Sequence, residues 1–391
     1  MEDTRKASIW FNGKLAGLLV MSSDEEYQFR YVASYLNNLD NIPTDPIHLP
    51  MEEAPFYSKE LFGVMRDALP DSWGRFVLAK DLNLDASRIS DFDCIQNISS
   101  DGVGCIEFGS VTESNIVKPN RGNSITLRDL QRNIGDMNYE CSQAIARLLH
   151  AGSSMGGARP KASVIHNGVH YLAKFNQKDD TLNVCLCEYA AMTFAKTMGI
   201  NVSDISITQI QEHDVLLVKR FDRENGKKYP FLSALTLSGR NERDFMHSSY
   251  VELDALSRTL TKQSDGEQWL RRMTYNVLCN NDDDHLRNHG FIAKDNQWRL
   301  SPAYDIMPHA MRGETYRLAI GLTHDNRTAS LDNAIEAGRI MGIDNAELIV
   351  CDMQKKFKNW QTHFERCGVS EHDIQMFDHI FNRFSSSLDM G

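Results

Sequence analysis

The stretch CNNDDDHLRNHGFIAKDNQWRLSPAYD, residues Cys279–Asp305, decides how the rest of the chain is read. A helix-like run ends there in an acidic, Asn-rich loop. A short hairpin follows with Asp295-Asn296 at its turn, and its second arm runs on to Asp305. Asn288 stands five residues after Asp283. This set suits phosphoryl transfer, whose transition state spreads negative charge over phosphate oxygens. Hard oxygen ligands can hold magnesium there, and a carboxylate can orient the attacking hydroxyl. Taken alone, an acidic, Asn-rich turn is usually a solvated loop or a helix cap. Asn288, the hairpin and Asp305 together favour the chemical reading, and the neighbouring sequence must carry it.

A chain of 391 residues has room for two domains or one large one. Its hydrophobic fraction of 41% can bury a substantial core, and 24% charged residues is ordinary for a globular protein. The formal net charge of −11 argues against broad, unaided binding to nucleic acid, though it leaves a local basic patch open. Eight cysteines, at 94, 105, 141, 185, 187, 279, 351 and 367, form no C-x-x-C pair, so a zinc or redox motif has little support. The opening Met1 to Arg5 has no apolar run after a basic head, and no apolar stretch approaches the roughly 18 residues of a membrane span. The expectation is a cytoplasmic protein with reduced thiols and no membrane partner.

Residues 8–20 read as a hairpin around Asn12-Gly13, and Tyr27 to Val32 as a further strand. Leu61, Phe62, Met65 and Leu69 share one face of a helix over 58–69, which Pro70 stops. Asp71 or Ser72 can cap the next helix, through Trp73, Phe76 and Val77. Val103 to Phe108 is a strand, and 112–125 is polar and linker-like. Residues 1–111 therefore form a small α+β domain in which Leu69-Pro70-Asp71-Ser72 is a structural turn.

The pattern from Thr126 to His150 is helical. It leads into Ala151-Gly152-Ser153-Ser154-Met155-Gly156-Gly157-Ala158-Arg159-Pro160-Lys161. Small residues let backbone amides approach an anion, and Arg159 and Lys161 add positive charge, a combination that suits a nucleotide phosphate. A plain loop has the same composition. Ala162 to His166 and Val169 to Phe175 are strands about Asn167-Gly168, the second carrying Lys174 near its end. A helix from Val184 to Met198 follows, with Glu188 in its first turns and Gly199 as its C-cap. A glycine-rich loop, a strand lysine and then a helix glutamate is the order of a kinase amino-terminal lobe. There the lysine holds the α/β-phosphates and pairs with the glutamate, and the Asp283–Asn288 spacing is that of the kinase catalytic loop. The plainer readings are an edge-strand lysine and a solvated glutamate.

Ile205 to Ile210 and Val215 to Val218 form another hairpin, followed by Lys219-Arg220-Phe221-Asp222-Arg223. In a kinase this is the hinge, whose backbone meets the adenine edge. Without its neighbours it is a strand end with solvated charges. Leu253, Leu256 and Leu260, then Trp269, Met273 and Val277, mark two core-facing helices. After Asp305 the chain is expected to be irregular to about Asp332. Helices at 345–366 and 371–388 follow, with Leu348, Met353, Phe357 and Trp360 on the apolar side of the first.

Four ordered motifs, Ser154 to Lys161, Val218 to Arg223, Asn281 to Asn288 and Ser301 to Asp305, together resemble the HipA-type serine/threonine kinases, the toxin halves of bacterial toxin–antitoxin pairs. The resemblance covers almost the whole chain. It implies an α+β, two-lobed, protein-kinase-like fold with a small N-terminal subdomain (1–111), a linker (112–125) and a kinase-like domain (126–391). Within that domain 126–223 would bind ATP and 224–391 would be the mainly helical catalytic part. Asp283 would be the general base, and Asn288 and Asp305 would hold Mg2+. Lys174 and the loop carrying Gly156, Gly157, Ala158, Arg159 and Lys161 would contact ATP phosphates. Lys219, Arg220 and Phe221 would form the adenine hinge, with His285 and Tyr304 also at the nucleotide and Glu188 in support. The catalytic loop lacks the arginine that precedes the base in eukaryotic kinases, so regulation must differ. In the family a serine of the glycine-rich loop is autophosphorylated and switches the kinase off. Ser154 matches it, with Ser153 adjacent. The resemblance also implies a DNA-binding, HipB-like antitoxin as partner, DNA reached only through that antitoxin, and a protein substrate such as an aminoacyl-tRNA synthetase.

Two rival readings remain. Gly152-Ser153-Ser154-Met155-Gly156 fits the G-x-S-x-G elbow of acyl-transfer hydrolases, but that elbow needs a strand before its serine and a helix after it, and here the order is reversed. The other rival is a catalytically weak ATP-binding partner of the DNA-binding antitoxin.

Overall fold

The computed structural model describes residues 4–98, 101–112, 115–119, 126–128, 159–177, 179–241, 244, 247–310 and 316–384. Of the helix expected from Thr126 to His150 only residues 126–128 are described, and the loop residues Ser153, Ser154, Gly156, Gly157 and Ala158 lie outside the described residues. The fold is α+β, and the chain divides into two compact units. The first comprises Met1–Ala173, Arg220–Gly239 and Phe291–Arg299; the second comprises Lys174–Lys219, Arg240–Gly290 and Leu300–Gly391.

The first unit is built on a five-stranded antiparallel sheet. Its strands are β1 (Arg5–Phe11), β2 (Lys14–Met21), β3 (Tyr27–Tyr31), β4 (Phe56–Ser58) and β5 (Ile106–Ser110), in the order β4-β3-β2-β1-β5. Asn12 and Gly13 both have positive φ, 51° and 73°, which matches the turn to the twist of β1 and β2. Ile9, Phe11, Leu19 and Phe29 are buried, and in β1 every residue from Ala7 to Phe11 is buried, so this strand is covered on both faces. Gly17 is required on β2, because a Cβ there would sit 2.5 Å from the Phe29 ring and from the Arg30 carbonyl oxygen.

Among the described residues, four α-helices lie in this sheet's part of the chain: α1 (Ala33–Leu36), α2 (Gly63–Asp67), α3 (Ser72–Asp81) and α4 (Asp91–Asn97). The helix read over 58–69 is thus shorter than expected. Asp71 caps α3, accepting the Gly74 N–H at 2.8 Å. Phe76 points to solvent rather than into the core. Asp67, at the end of α2, accepts the Ser233 N–H at 2.7 Å and the hydroxyls of Ser233 and Thr236 at 2.6 and 2.8 Å. One buried carboxylate therefore starts the helical turn Ala234–Leu237. Strands β6 (Lys161–His166) and β7 (Val169–Phe175) are joined by Asn167-Gly168, again at positive φ. The chain passes into the second unit at Lys174, just before β7 ends.

Arg220 departs from the hinge expectation. Its side chain is fully buried and bonds both oxygens of Asp222, at 3.0 and 2.9 Å, together with Asp101 and Ser163. Arg223 adds a 2.7 Å bond to the same Asp222 carboxylate, and Gly104 donates its N–H to it. Burial favours the neutral acid, but the two guanidinium groups outweigh it and hold the Asp222 carboxyl far below its ordinary range. The charges of Lys219-Arg220-Phe221-Asp222-Arg223 are therefore mostly structural rather than solvated.

The second unit is mainly helical. Helix α5 (Val184–Thr197) is capped by Asn183 and followed by Gly199 at φ 79°. The hairpin β8 (Ile205–Ile210) and β9 (His213–Lys219) comes next, then α6 (Tyr250–Thr261) and α7 (Gly266–Cys279). Trp269, Met273 and Val277 of α7 are buried as read, while Leu256 of α6 is half-buried. The segment after Asp305 gives way to α8 (Leu331–Ile340), where the sequence reading expected the first helix only beyond 345. Ser330 caps it through the Asn333 N–H. Helices α9 (Ala346–Phe357), α10 (Trp360–Arg366) and α11 (Glu371–Phe381) complete the unit. Met353, Phe357 and Trp360 are buried, but Leu348 is 73% exposed and does not belong to the apolar face.

Removing one member of a buried ion network strands the others. Asp222→Ala is expected to cost about 3–5 kcal/mol of stability, read from the urea midpoint. The exposed Lys219–Asp204 pair, at 3.2 Å, is the control: Lys219→Ala should cost less than about 1 kcal/mol.

Candidate active site

Seven residues expected at the site, Lys174, Glu188, Asp283, His285, Asn288, Tyr304 and Asp305, all lie in the second unit. The loop begins where α7 ends. Asn280 takes the left-handed conformation, φ 52°, that a helix C-terminus favours and that asparagine tolerates. Its side chain donates to the His309 carbonyl at 3.0 Å. Asn281 turns back onto Asn276, its N–H to the carbonyl at 3.0 Å and its amide to the side-chain oxygen at 3.1 Å.

The three aspartates that follow have three different surroundings. Asp282 pairs with the imidazole of His309. Asp283 is exposed. Asp284 is buried: it accepts the Tyr250 hydroxyl at 2.6 Å, the Asn276 amide at 3.3 Å and the Ala319 N–H at 3.0 Å. The loop then closes on the backbone of Asp283, whose carbonyl accepts the His285 N–H at 2.8 Å and the Asn288 side-chain amide at 2.9 Å. The buried Nδ1 of His285 has no hydrogen-bond partner among the described residues.

The second carboxylate arrives on a fixed track. Arg272 of α7 donates to the Ser301 carbonyl at 2.5 Å. Ala303 bridges to the 201–203 segment, its N–H to Asn201 at 2.7 Å and its carbonyl to the Ser203 N–H at 3.0 Å. The Tyr304 hydroxyl donates to the Arg287 carbonyl at 2.8 Å, tying this track to the residue before Asn288. Asp305 then accepts a bond from Lys174, which also donates to Glu188 at 2.5 Å. Burial disfavours the Lys174 charge, yet Asp305 and Glu188 more than compensate and hold its ammonium above the ordinary lysine range.

The residues fit the expected cation. The Asn288 amide nitrogen is spent on the Asp283 carbonyl, which leaves the hard ligand, its oxygen, available. Asp305 supplies a carboxylate. Among the described residues no group of three His, Cys, Asp or Glu side chains forms a metal cluster. Magnesium is usually held by one or two protein carboxylates with water and substrate phosphate.

The other expected residues are placed differently. Lys219 is exposed beside Asp204, and its N–H and that of Arg220 are already spent on the carbonyls of Asp204 and His170. Arg159, Lys161, Arg220 and Phe221 belong to the first unit. Lys161, expected at the phosphates, is buried against Asp71 at 2.8 Å. Phe221 lies against Phe231, with ring centroids 6.1 Å apart. Arg159 is exposed. The sequence reading missed Asp284, Tyr250 and Arg272 as supports and gave Asp71 no role toward Lys161. The only available signal for Asp284 was its place in an acidic run, which does not say which member is buried.

Residues 153–367 match the HipA-like C-terminal domain, and residues 7–109 match the HipA N-terminal domain. The chain belongs to the HipA family. It is similar to the serine/threonine-protein kinase toxin HipA of Shewanella oneidensis, at 23% identity over 292 residues, covering 64% of this chain and 63% of that protein. It is also similar to a putative kinase of Haemophilus influenzae, at 26% identity over 181 residues, covering 40% of this chain and 52% of that one. The chain thus spans less than two thirds of the length of each of these relatives. The fold matches that of Shewanella oneidensis HipA solved with HipB and operator DNA, with a TM-score of 0.70 at 16% identity over 97% of this chain and 95% of that one. Among the described residues of this HipA-family chain, no helix is long and apolar enough to cross a membrane.

The Asp284 carboxyl sets a pH dependence. Burial pushes it up from 3.8 to about 7, against the lowering effect of its hydrogen-bond donors. Between those values the folded chain holds a proton that the unfolded chain has lost. The stability linked to this group is therefore full below the unfolded value and falls as pH rises through about 7. Urea titrations from about pH 5 to 8 should show the wild type losing more stability with rising pH than Asp284→Asn.

Proposed function

We propose that this chain is a serine/threonine protein kinase, the toxin of a toxin–antitoxin pair, transferring the γ-phosphate of ATP to a protein hydroxyl. The observation that carries the reading is Lys174 held between Glu188 and Asp305, in the same compact unit as the Asp283–Asn288 loop. Lys174 keeps its positive charge for the nucleotide phosphates. Asp283, exposed and pinned through its own carbonyl, can take the proton of an incoming hydroxyl. The Asn288 oxygen and Asp305 would hold magnesium, which when bound neutralises charge on the phosphates. The complex of Shewanella oneidensis HipA with HipB and operator DNA supports a DNA-binding, HipB-like antitoxin as partner. An aminoacyl-tRNA synthetase is the proposed substrate, on the resemblance alone.

The burial of Lys161 against Asp71 favours a second reading, a weakly catalytic ATP-binding partner of the antitoxin. One experiment separates the two: intact-mass and peptide analysis after incubation with Mg·ATP. The kinase reading expects phosphate on the wild type and a loss of about 10²–10⁴-fold in rate for Asp283→Asn, with an unchanged melting temperature. A wild type that incorporates no phosphate overturns it.

Autophosphorylation at Ser154, with Ser153 adjacent, is the proposed off-switch. A phosphate adds about −1.5 to −2 charges at neutral pH, in a loop meant for other phosphates. The phosphorylated chain should bind ATP more weakly than the unmodified one, and equal affinities would refute the switch.

A further inference from the structure

We propose that Asp284 is the positioning residue of the catalytic loop, the group that sets Asp283 by fastening the loop to α6, α7 and the 318–322 segment through a link that needs no phosphorylated residue. This rests on the reading of Asp283 as the base. Donors to Asp284 come from three separate stretches of chain: Tyr250 opens α6, Asn276 lies in the last turns of α7, and Ala319 and Ile320 belong to the segment that returns after Asp305. Those stretches are themselves joined. The Tyr250 N–H donates to the Gly321 carbonyl at 2.8 Å, and the Gly321 N–H to Ser248 at 2.9 Å. The Asn276 amide also reaches the Tyr250 hydroxyl at 2.9 Å, and its oxygen holds Asn281.

Asp284 is thus the one residue of the acidic run bonded to all three. A polar side chain withdrawn from water is costly unless its bonds are made, and a satisfied buried network fixes one geometry. Here the geometry is that of the neighbouring peptide. With Asp284 fastened below, and the Asp283 carbonyl held by His285 and Asn288, the Asp283 side chain is left facing solvent. In eukaryotic kinases, the arginine before the base meets a phosphorylated activation segment. This loop lacks that arginine and instead bonds the returning segment through a carboxyl group and a backbone N–H. The contact exists once the chain is folded.

The test uses the full chain with Asp284→Ala, Asp284→Asn and Tyr250→Phe. Rates of phosphate incorporation from Mg·ATP are read beside hydrogen exchange of peptides covering 283–290 and 316–322. A misplacement near 1 Å costs about 10²-fold, so Asp284→Ala should lose about that in kcat with the KM for ATP within about twofold of wild type. Exchange should rise in both peptides together. Asp284→Asn, which keeps an oxygen for the Ala319 N–H, should recover part of the rate, and Tyr250→Phe should shift both readouts the same way by less. A group that only stabilised the fold would lower the melting temperature without this joint rise in exchange or the kcat-selective loss. Wild-type kcat and exchange in Asp284→Ala overturn the proposal. If that variant does not fold, unchanged exchange in both peptides of Tyr250→Phe overturns it. If the wild type transfers no phosphate, the kinase reading fails first, and the exchange data still decide whether Asp284 fastens the loop.

Discussion

An ammonium group nearly withdrawn from water must be compensated, and at Lys174 the compensation comes from two carboxylates on different elements. That need shapes the second unit. Glu188 reaches the lysine from α5, which Asn183 caps. Asp305 requires the chain from Ser301 to follow a set course, which Arg272 and the bridge at Ala303 provide. Tyr304 passes the constraint to Arg287, and Asn288 passes it to the backbone of Asp283. A single cation thus links residues far apart in sequence into one chemical unit.

The first unit spends its charges differently. Asp67 starts a helical turn, Asp71 caps α3 and meets Lys161, and Asp222 binds two arginines and a backbone N–H. In each case the acid is buried and its oxygens are bonded, so its work is to fix the chain. Such groups resemble catalytic acids in sequence because both sit in polar turns. Burial separates them, and it depends on residues more than a hundred positions away, as with Arg220 and Asp101.

The legible parts of the chain were those decided locally. Asn12-Gly13, Asn167-Gly168 and Asp295-Asn296 gave turns because both residues of each pair accept positive φ, and all six do. The apolar spacing of Trp269, Met273 and Val277 gave α7 and placed the loop at its end. The order of Lys174, Glu188, Asp283, Asn288 and Asp305 gave the candidate site. What was illegible was long-range: which aspartate of three is buried, that Lys161 faces Asp71, and that Leu348 points outward. Helix α8 was missed because its buried residues are Ala334, Ala337 and Gly338, small groups that leave no strong apolar stripe.

Asp305 stands at φ 58°, a conformation that penalises most side chains by about 1–2 kcal/mol and that aspartate and asparagine enter with least cost. The position therefore asks two things of its occupant, a charge and a bend. Valine or isoleucine would fail both and deform the course of the chain. Asparagine would keep the bend and lose only the charge, leaving a molecule that matches its parent in shape and differs from it by one missing negative oxygen beside Lys174.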